Sequence, residues 1–457
     1  MATETKVSQT KGDGLLGLGD LFFMGLGTVI GAGIVAYVGI AVGFTGRATW
    51  IAYLIAIIGG FLANLPLILM ASAARIHGGN YSFMATTLGD VWGGFWALTN
   101  TLNVLAFSNF GLALGLYMNV IFPSVPIKVF AIASILIFFV INLFGTAKMA
   151  KVQNVLSILL IFGLLLFGFL GMARLRPDTF TAMFTNEYFL PGKTSGRGGS
   201  WGFFQAIMIL MGSTQGYTLI TSFSGQSRNA KRTMPLALSL VPLALIIIYC
   251  SVGLTMSNVL PIAETSDQPL TVVAKLLFHP VVFVLFVFTG PVMALATSLN
   301  SSFGIFEKPL VIATRDGWLP EGAAKKNKNG IAWKFMVLFV IIAVVPVLLN
   351  LSIGTILSNL TFASSFSYIL LVIGIFRYPK TMEGAWDNRA WRVPMWFFYA
   401  ACVVCFGIRL FLLWRSILTS NLMMAIVSLV VIAVVLVYCI WRKKAGKVNV
   451  VKSWELQ

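Results

Sequence analysis

Long apolar runs constrain this chain more than any other feature of its sequence. A helix that crosses a hydrocarbon layer needs about 20 consecutive apolar residues. Twelve stretches are of this kind, numbered here as segments 1 to 12: residues 15–43, 47–75, 92–122, 127–146, 150–174, 202–224, 235–260, 281–313, 333–351, 354–376, 394–414 and 420–441. Because 58% of the 457 residues are hydrophobic and 10% are charged, a soluble domain could not bury this apolar surface. We expect an all-α integral membrane protein with about twelve transmembrane helices.

The net charge of +18 indicates a membrane surface rather than nucleic acid, because the basic residues concentrate in alternate loops. Cytoplasmic loops carry such an excess, so both termini are expected in the cytoplasm of a multi-pass protein of the cytoplasmic membrane. Residues 1–14 lack the pattern of a secretory signal and are interpreted as a cytoplasmic tail. Anionic lipid headgroups are the expected partners of the basic surface, and nucleic acid is not expected.

Segment 1 contains a run that is unsuited to a continuous helix, Gly27-Thr28-Val29-Ile30-Gly31-Ala32-Gly33-Ile34. Glycine costs about 1 kcal/mol relative to alanine inside a helix. An interruption at mid-membrane depth exposes backbone N–H and C=O groups where water cannot reach them. The run therefore predicts a site that a polar ligand visits.

A second breaker run, Met211-Gly212-Ser213-Thr214-Gln215-Gly216, lies in segment 6. Segments 1 and 6 each begin a set of five, and paired interruptions at corresponding positions are typical of inverted-repeat transporters. Small residues also mark close helix packing, which is the alternative interpretation of both runs.

The residues of the first run can recognise a zwitterion without a charged side chain. The N–H groups of Gly31, Ala32 and Gly33 open the second half-helix and suit a carboxylate. The carbonyls of Val29 and Ile30 end the first half-helix and are expected to be free acceptors for an ammonium group. Further candidate substrate contacts lie on segments 3, 6 and 8: Asn103, Phe107, Met211, Gly212, Ser213, Thr214, Gln215 and Ser302. Asn103 and Phe107 are one helical turn apart and could face the site together, with packing as the alternative.

Five short motifs, in order along the chain, resemble those of the amino acid–polyamine–organocation superfamily of permeases. They are Gly31-Ala32-Gly33-Ile34, Gly78-Gly79-Asn80-Tyr81, Asn142-Leu143-Phe144-Gly145 with Gln153, Asn229-Ala230-Lys231-Arg232-Thr233-Met234-Pro235, and Arg315-Asp316-Gly317-Trp318-Leu319-Pro320. The resemblance spans about residues 15–445. It implies the LeuT-type fold, a 5+5 inverted repeat followed by two C-terminal helices.

The resemblance also implies a division of the chain. Its parts are a cytoplasmic tail (1–14), a transport core (15–376, repeats at about 15–174 and 202–376), helices 11 and 12 (377–441) and a cytoplasmic C-terminal tail (442–457).

Some positions depart from the family pattern. Gln226 and Ala230 stand where relatives commonly have glutamate and proline, and Gly212 stands where many have an aromatic lid. Leu160 stands where many relatives carry a lysine whose ammonium takes the place of a sodium ion, which excludes proton coupling through that lysine.

In the related fold, oxygens of segments 1 and 8 hold sodium, so this chain has a candidate sodium site at Gly27, Ile30, Thr297, Ser298 and Ser301. Hydrogen bonding between helices is the alternative fate of these hydroxyls. No other cofactor is expected.

The sequence as a whole predicts a secondary active transporter for small, neutral amino acids that works by alternating access. Exchange and cation-coupled symport both remain open, and an antiporter of cationic amino acids or polyamines is the alternative substrate class. A polytopic membrane enzyme or a channel is the alternative function, but we see neither a polar catalytic cluster nor a repeated filter sequence. Asp20 or Glu307 could pair with a basic residue as a gate, and Arg409 is expected to snorkel towards an interface. An accessory subunit is left open.

Overall fold

The computed structural model describes residues 16–35, 37–181, 183, 199–350, 353–419, 422–451 and 453–456. Within these ranges the chain is helical apart from loops and two very short strands. The helices are α1 (Leu18–Val35), α2 (Val38–Thr45), α3 (Thr49–Ala71), α4 (Asn80–Leu88), α5 (Asp90–Asn100), α6 (Ala106–Ile121), α7 (Ile127–Leu143), α8 (Thr146–Met172), α9 (Gly199–Ser213), α10 (Ala230–Asn258), α11 (Ile262–Thr265), α12 (Thr271–Leu277), α13 (Pro280–Val287), α14 (Met293–Arg315), α15 (Trp333–Leu348), α16 (Ile353–Thr381), α17 (Met395–Thr419) and α18 (Leu422–Lys444).

All of the predicted apolar segments contain helix in the part of the chain that the structure describes. Seven helical stretches are long and apolar enough to cross a membrane: Leu18–Val35, Val38–Ala71, Asp90–Ile121, Thr146–Met172, Ala230–Asn258, Pro280–Arg315 and Met395–Trp414. Two shorter apolar helices are Ile127–Leu143 and Trp333–Leu348. The all-helical class is confirmed, whereas the count of twelve crossings stays a prediction.

Segments 1 and 6 are both interrupted where their glycines lie. Gly31 has non-helical backbone angles (φ −43°, ψ −105°), which kink α1 near its end. In segment 6, α9 ends at Ser213, and the chain resumes as a 3₁₀-helix over Gly216–Gln226. The predicted breaks are confirmed.

The interrupted helices lie at the centre of the bundle. α1 packs against α8, α10 and α14, and also against the 3₁₀-helix of segment 6. The side chains of Leu21, Met24 and Ile30 on α1 are fully buried. Because its neighbours surround it, α1 presents its polar backbone to protein rather than to lipid.

One end of the bundle, called here the terminal face, carries both described ends of the chain. Strands β1 (Arg75–Ile76) and β2 (Trp454–Glu455) pair there in antiparallel fashion. Leu16 forms a bridge to Ser227 nearby. The predicted N-terminal tail, residues 1–14, lies outside the described residues.

Candidate functional site

The two helix interruptions lie against each other. A Cβ on Gly216 would come within 2.8 Å of the Thr28 carbonyl oxygen, and a Cβ on Gly33 within 2.8 Å of the Ser213 carbonyl oxygen. Only glycine allows backbones to approach this closely. The breaks of segments 1 and 6 therefore form one region of exposed peptide groups inside the bundle.

One carbonyl in this region already has a partner. The hydroxyl of Tyr249 on α10 donates a hydrogen bond to the Val29 carbonyl at 3.0 Å, so the expectation that this carbonyl is free is wrong. Tyr249 is fully buried, and its ring packs edge-on against Tyr53 of α3 at 5.2 Å. The only sign of this contact in the sequence is a tyrosine within an apolar run.

Hydroxyls of α14 meet the first half of α1. Ser298 Oγ donates to the Gly27 carbonyl at 2.8 Å, and Thr297 Oγ1 approaches the same oxygen at 3.3 Å. These three members of the candidate sodium site are thus brought together. Ser301 donates instead to the Thr297 carbonyl of its own helix at 2.8 Å. Ile30, three residues after Gly27, is also buried.

A cluster of buried amides lies beside Gly27. Asn300 Nδ2 on α14 donates to Gln153 Oε1 on α8 at 2.8 Å, and Asn142 Nδ2 on α7 donates to the Asn300 carbonyl at 3.0 Å. A Cβ on Gly27 would overlap Gln153 Nε2, which is buried without an acceptor. Asn142 and Gln153 belong to the motif between segments 4 and 5, so the motif marks this cluster, but their joint contact with α14 was not predicted.

Phe107 and Asn103 make different contacts in the structure. The chain is a 3₁₀-helix over Thr101–Leu105, which changes the spacing on which the prediction depended. The Phe107 ring is fully buried and packs on Phe303 of α14 at 4.7 Å between centroids. Asn103 Nδ2 donates to Asn100 Oδ1 at 2.9 Å. Phe107 is therefore a packing residue in this structure.

The end of α9 contains both filled and open space. Met211 is buried, and its side chain would lie 3.2 Å from a Cβ added to Gly59 of α3. Gly212 is exposed, and a Cβ there would meet nothing within 4 Å. The hydroxyls of Ser213 and Thr214 donate to the carbonyls of Leu210 and Met211, their own preceding turn.

Two polar side chains near the site, Gln215 and Ser302, are buried. Both amide atoms of Gln215 are buried without a hydrogen-bond partner, whereas Ser302 on α14 is buried at 7% exposure. Since unpaired buried amides are destabilising, Gln215 is the polar side chain in this region that a ligand would satisfy.

Asp20 and Glu307 do not bridge to basic residues across the bundle. Asp20 accepts from the Gly17 N–H at 2.9 Å and from Asn154 Nδ2 at 2.8 Å. Glu307 accepts from the Ala332 N–H at 3.0 Å, at the start of α15, and its ion-pair partner is the adjacent Lys308 at 3.3 Å. Both carboxylates cap helix starts, and the gate interpretation is not supported.

Arg409 does not snorkel. It lies in the middle of α17 and is only 7% exposed. Its Nη2 donates to Asn64 Oδ1 on α3 at 2.7 Å, and the guanidinium lies 4.5 Å from the ring centroid of Tyr368 on α16. The neighbouring helices close over the side chain and leave it no route to an interface.

Interrupted helices that meet inside a bundle of long apolar helices define a multi-pass membrane transporter. The amino acid permease family model matches residues 16–444. The chain belongs to this family, within the superfamily that its motifs resemble, and is an amino acid transporter rather than an enzyme.

A substitution at Gly31 tests the contact between α1 and α14. A Cβ there would overlap Ser298 Oγ and lie 2.8 Å from Ser298 Cβ. Overpacking of this kind costs about 1–3 kcal/mol, so Gly31→Ala should weaken binding of every amino acid by about tenfold, and Gly31→Val should abolish it. Adding Ser298→Gly removes both atoms and should recover part of the affinity in a binding assay on purified protein.

Gly407→Ala is the matched control, because Gly407 has open space around it and the variant should bind normally. Selective loss of one amino acid in Gly31→Ala, with the others intact, would contradict a site made of shared backbone contacts.

Proposed function

We propose that this permease exchanges small, neutral amino acids across the cytoplasmic membrane by alternating access. The observation that carries the proposal is the meeting of the two helix interruptions, at Gly216 with Thr28 and at Gly33 with Ser213. Exposed peptide groups in hydrocarbon need a polar partner, and an α-amino acid supplies an anionic and a cationic group a few ångströms apart.

In this proposal the N–H groups of Gly31, Ala32 and Gly33 hold the carboxylate, because they lie at the positive end of a half-helix. The ammonium group meets the Ile30 carbonyl and the remaining lone pair of the Val29 carbonyl, beside the Tyr249 hydroxyl. Carbonyls at the end of α9, the Gln215 amide and Ser302 contribute polar contacts around the same centre.

The charge around the site favours neutral over cationic substrates. Arg409 lies near the break in segment 6. Its partner Asn64 is one helical turn beyond Gly60 on α3. A Cβ on Gly60 would be 3.4 Å from Thr214 Oγ1 at that break. A buried guanidinium this close to the break opposes a second positive charge. A transporter of cationic amino acids or polyamines would need a carboxylate there, and neither breaker run contains one.

For the coupling mode, the α14 hydroxyls favour cation-independent exchange. Ser298 already donates to the Gly27 carbonyl and Thr297 to the Ala294 carbonyl of its own helix, so these polar groups are satisfied without a cation. Sodium symport is the second candidate, favoured by the convergence of the Gly27, Thr297 and Ser298 oxygens. Ile30 and Ser301 would complete that cation site.

The proposal includes the architecture on which alternating access depends. We infer twelve transmembrane helices in a LeuT-type 5+5 repeat, with repeats at about residues 15–174 and 202–376, followed by two further helices and cytoplasmic termini. The paired interruptions and the excess of basic residues on one side support this arrangement.

Counterflow in proteoliposomes tests the function directly. Each vesicle preparation is loaded with one unlabelled compound: alanine, serine, leucine, glutamate, arginine or putrescine. A labelled neutral amino acid should accumulate only in vesicles that contain a neutral amino acid. Replacing sodium by choline should leave the rate unchanged. If sodium stimulates uptake and Thr297→Ala with Ser298→Ala removes that stimulation, symport replaces exchange; accumulation driven by arginine or putrescine would overturn the substrate class.

Gly212 stands where many relatives carry an aromatic lid, and we propose that the space left by the missing side chain sets the side-chain size allowed in the substrate. In Gly212→Phe the ring should occupy that space and lower leucine transport about tenfold, while alanine transport changes little. A tenfold loss corresponds to roughly 1.4 kcal/mol of binding free energy. Gly407→Phe, which places the same ring at an exposed position with open space, is the matched control. Equal loss of leucine and alanine transport in Gly212→Phe would contradict this assignment.

A further inference from the structure

Arg409 is a buried cation without a counter-charge. The elements around it are α3, the 3₁₀-helix of segment 6, α16 and α17, and none of their sequences contains aspartate or glutamate. None of the ion pairs among the described residues involves Arg409. A charge in the middle of a membrane helix is expensive unless it is paired.

Few acceptors lie beside Arg409: they are Asn64 Oδ1 on α3 and the Cys405 thiol of its own helix. Its Nε–H is buried without an acceptor. The Tyr217 hydroxyl is buried and faces the Asn64 side chain. Asn64 Oδ1 is already bound to Arg409, and Asn64 Nδ2 donates to the Gly60 carbonyl at 2.8 Å. Such a set of donors around a positive charge matches an anion.

We propose that a small anion binds at Arg409, held by the guanidinium and the Tyr217 hydroxyl between α3, α16 and α17. A halide ion and the side-chain carboxylate of an acidic amino acid share the required chemistry. The first would be a constituent of the folded protein. The second would reach the position from the adjoining break in segment 6, and it would then replace the neutral substrate class proposed above.

Thermal melting of the purified full-length protein tests the anion site without a transport assay. At constant sodium and ionic strength, replacing gluconate by chloride should raise the melting temperature in a saturable manner, since a ligand of the folded state stabilises it. Arg409→Gln should lose the response, and Arg409→Lys should keep part of it. Tyr217→Phe should raise the half-saturating chloride concentration about tenfold, as expected for a hydrogen bond to a charged group.

Arg389→Gln is the control, because Arg389 is as buried as Arg409 and its Nε–H also lacks an acceptor, but both of its terminal nitrogens donate to backbone carbonyls, those of Trp386 and Val393. Its chloride response should be normal. A second titration compares glutamate with glutamine. Stabilisation by glutamate alone, lost in Arg409→Gln, would identify the anion as a substrate carboxylate. Equal melting in chloride, bromide, nitrate and gluconate, with equal effects of glutamate and glutamine, would overturn the proposal.

A second, independent feature is the C-terminal strand at the terminal face. In the pairing of β1 with β2, Glu455 lies opposite Arg75, and the two side chains form an ion pair at 2.9 Å. The His77 N–H donates to the Ser453 carbonyl at 2.8 Å. Burial lowers the pKa of His77, so at neutral pH the ring is uncharged and Arg75 is the charged partner of Glu455.

The same tail is fixed to the end of α14. The Asn449 N–H donates to the Asp316 carbonyl at 3.0 Å, and Arg315 Nη2 donates to the Ser453 hydroxyl at 2.6 Å. The Asp316 carboxylate in turn accepts from the Tyr81 hydroxyl of α4 at 2.8 Å. Two of the sequence motifs, around Tyr81 and around Arg315, thus meet under the tail.

Arg75 also links the tail to the interrupted helices. Its Nη2 donates to the carbonyls of Ser227 and Arg228 at 2.9 and 3.2 Å. Leu16, just before α1, exchanges backbone hydrogen bonds with Gln226 and Arg228. The tail therefore connects the starts of α1 and α10 and the end of α3 with the end of α14.

We infer that this tail is a strap that holds the terminal face closed, and that it must release before α1 and the 3₁₀-helix of segment 6 can move away from α14. This inference rests on the proposed alternating access. The strap lies outside the substrate site, and its strength sets the rate at which the terminal face opens.

A reversible cross-link tests the strap in the full-length chain. Arg75 and Glu455 are directly paired across antiparallel strands, where Cα atoms are about 4.5–5.5 Å apart, within disulfide range. Oxidised Arg75→Cys/Glu455→Cys should lose exchange, and reduction should restore it. Glu455→Gln should speed exchange a few-fold, since a partly exposed ion pair contributes about 1 kcal/mol.

Asp90→Asn is the control, because it breaks another ion pair, Lys443 with Asp90, that joins α18 to α5 without involving β1. Its exchange rate should match that of the unmodified protein. Full exchange in the cross-linked protein would overturn the strap and leave the proposed function standing, whereas absence of exchange in the unmodified protein would refute the proposed function itself.

Discussion

The need to satisfy peptide groups inside hydrocarbon governs the centre of this permease. A helix satisfies its own backbone, so each interruption requires partners from elsewhere in the fold. Here the partners come from close contact: Gly33 and Gly216 let two broken helices touch backbone to backbone. Hydroxyls of Ser298 and Tyr249 then donate to the carbonyls of Gly27 and Val29, which lie just before the kink at Gly31. The same polar groups that stabilise the break are those that an amino acid would meet.

Polar groups in the rest of the bundle follow two patterns. The amides of Asn142, Asn300 and Gln153 form a connected cluster in which nearly every group has a partner, and such clusters fix the relative positions of helices. Around Arg409 a buried guanidinium N–H lacks an acceptor, and the packed helices bring no carboxylate to it. The first pattern explains how three helices are held beside α1, whereas the second indicates a ligand.

The terminal face shows how distant parts of the sequence cooperate. The loop after α3, the end of α14 and the C-terminal strand each contribute one side of a compact polar junction, centred on Arg75, Arg315 and Asp316. These residues are joined through hydrogen bonds to the loop before α10, to the end of α14 and to the C-terminal strand, which is the basis of the inferred strap.

The sequence by itself determined the membrane class, the positions of both helix breaks and the family, because apolar length, clustered glycines and short motifs are local properties. Only the tertiary structure decided which groups meet. Phe107 turned out to pack among rings, Ser301 to bond its own helix and the Val29 carbonyl to be occupied by Tyr249. Arg409 is buried rather than interfacial. These contacts depend on helix rotation, which a weakly amphipathic membrane helix does not encode in its own pattern. Those of Phe107, Val29 and Arg409 also depend on residues far away along the chain.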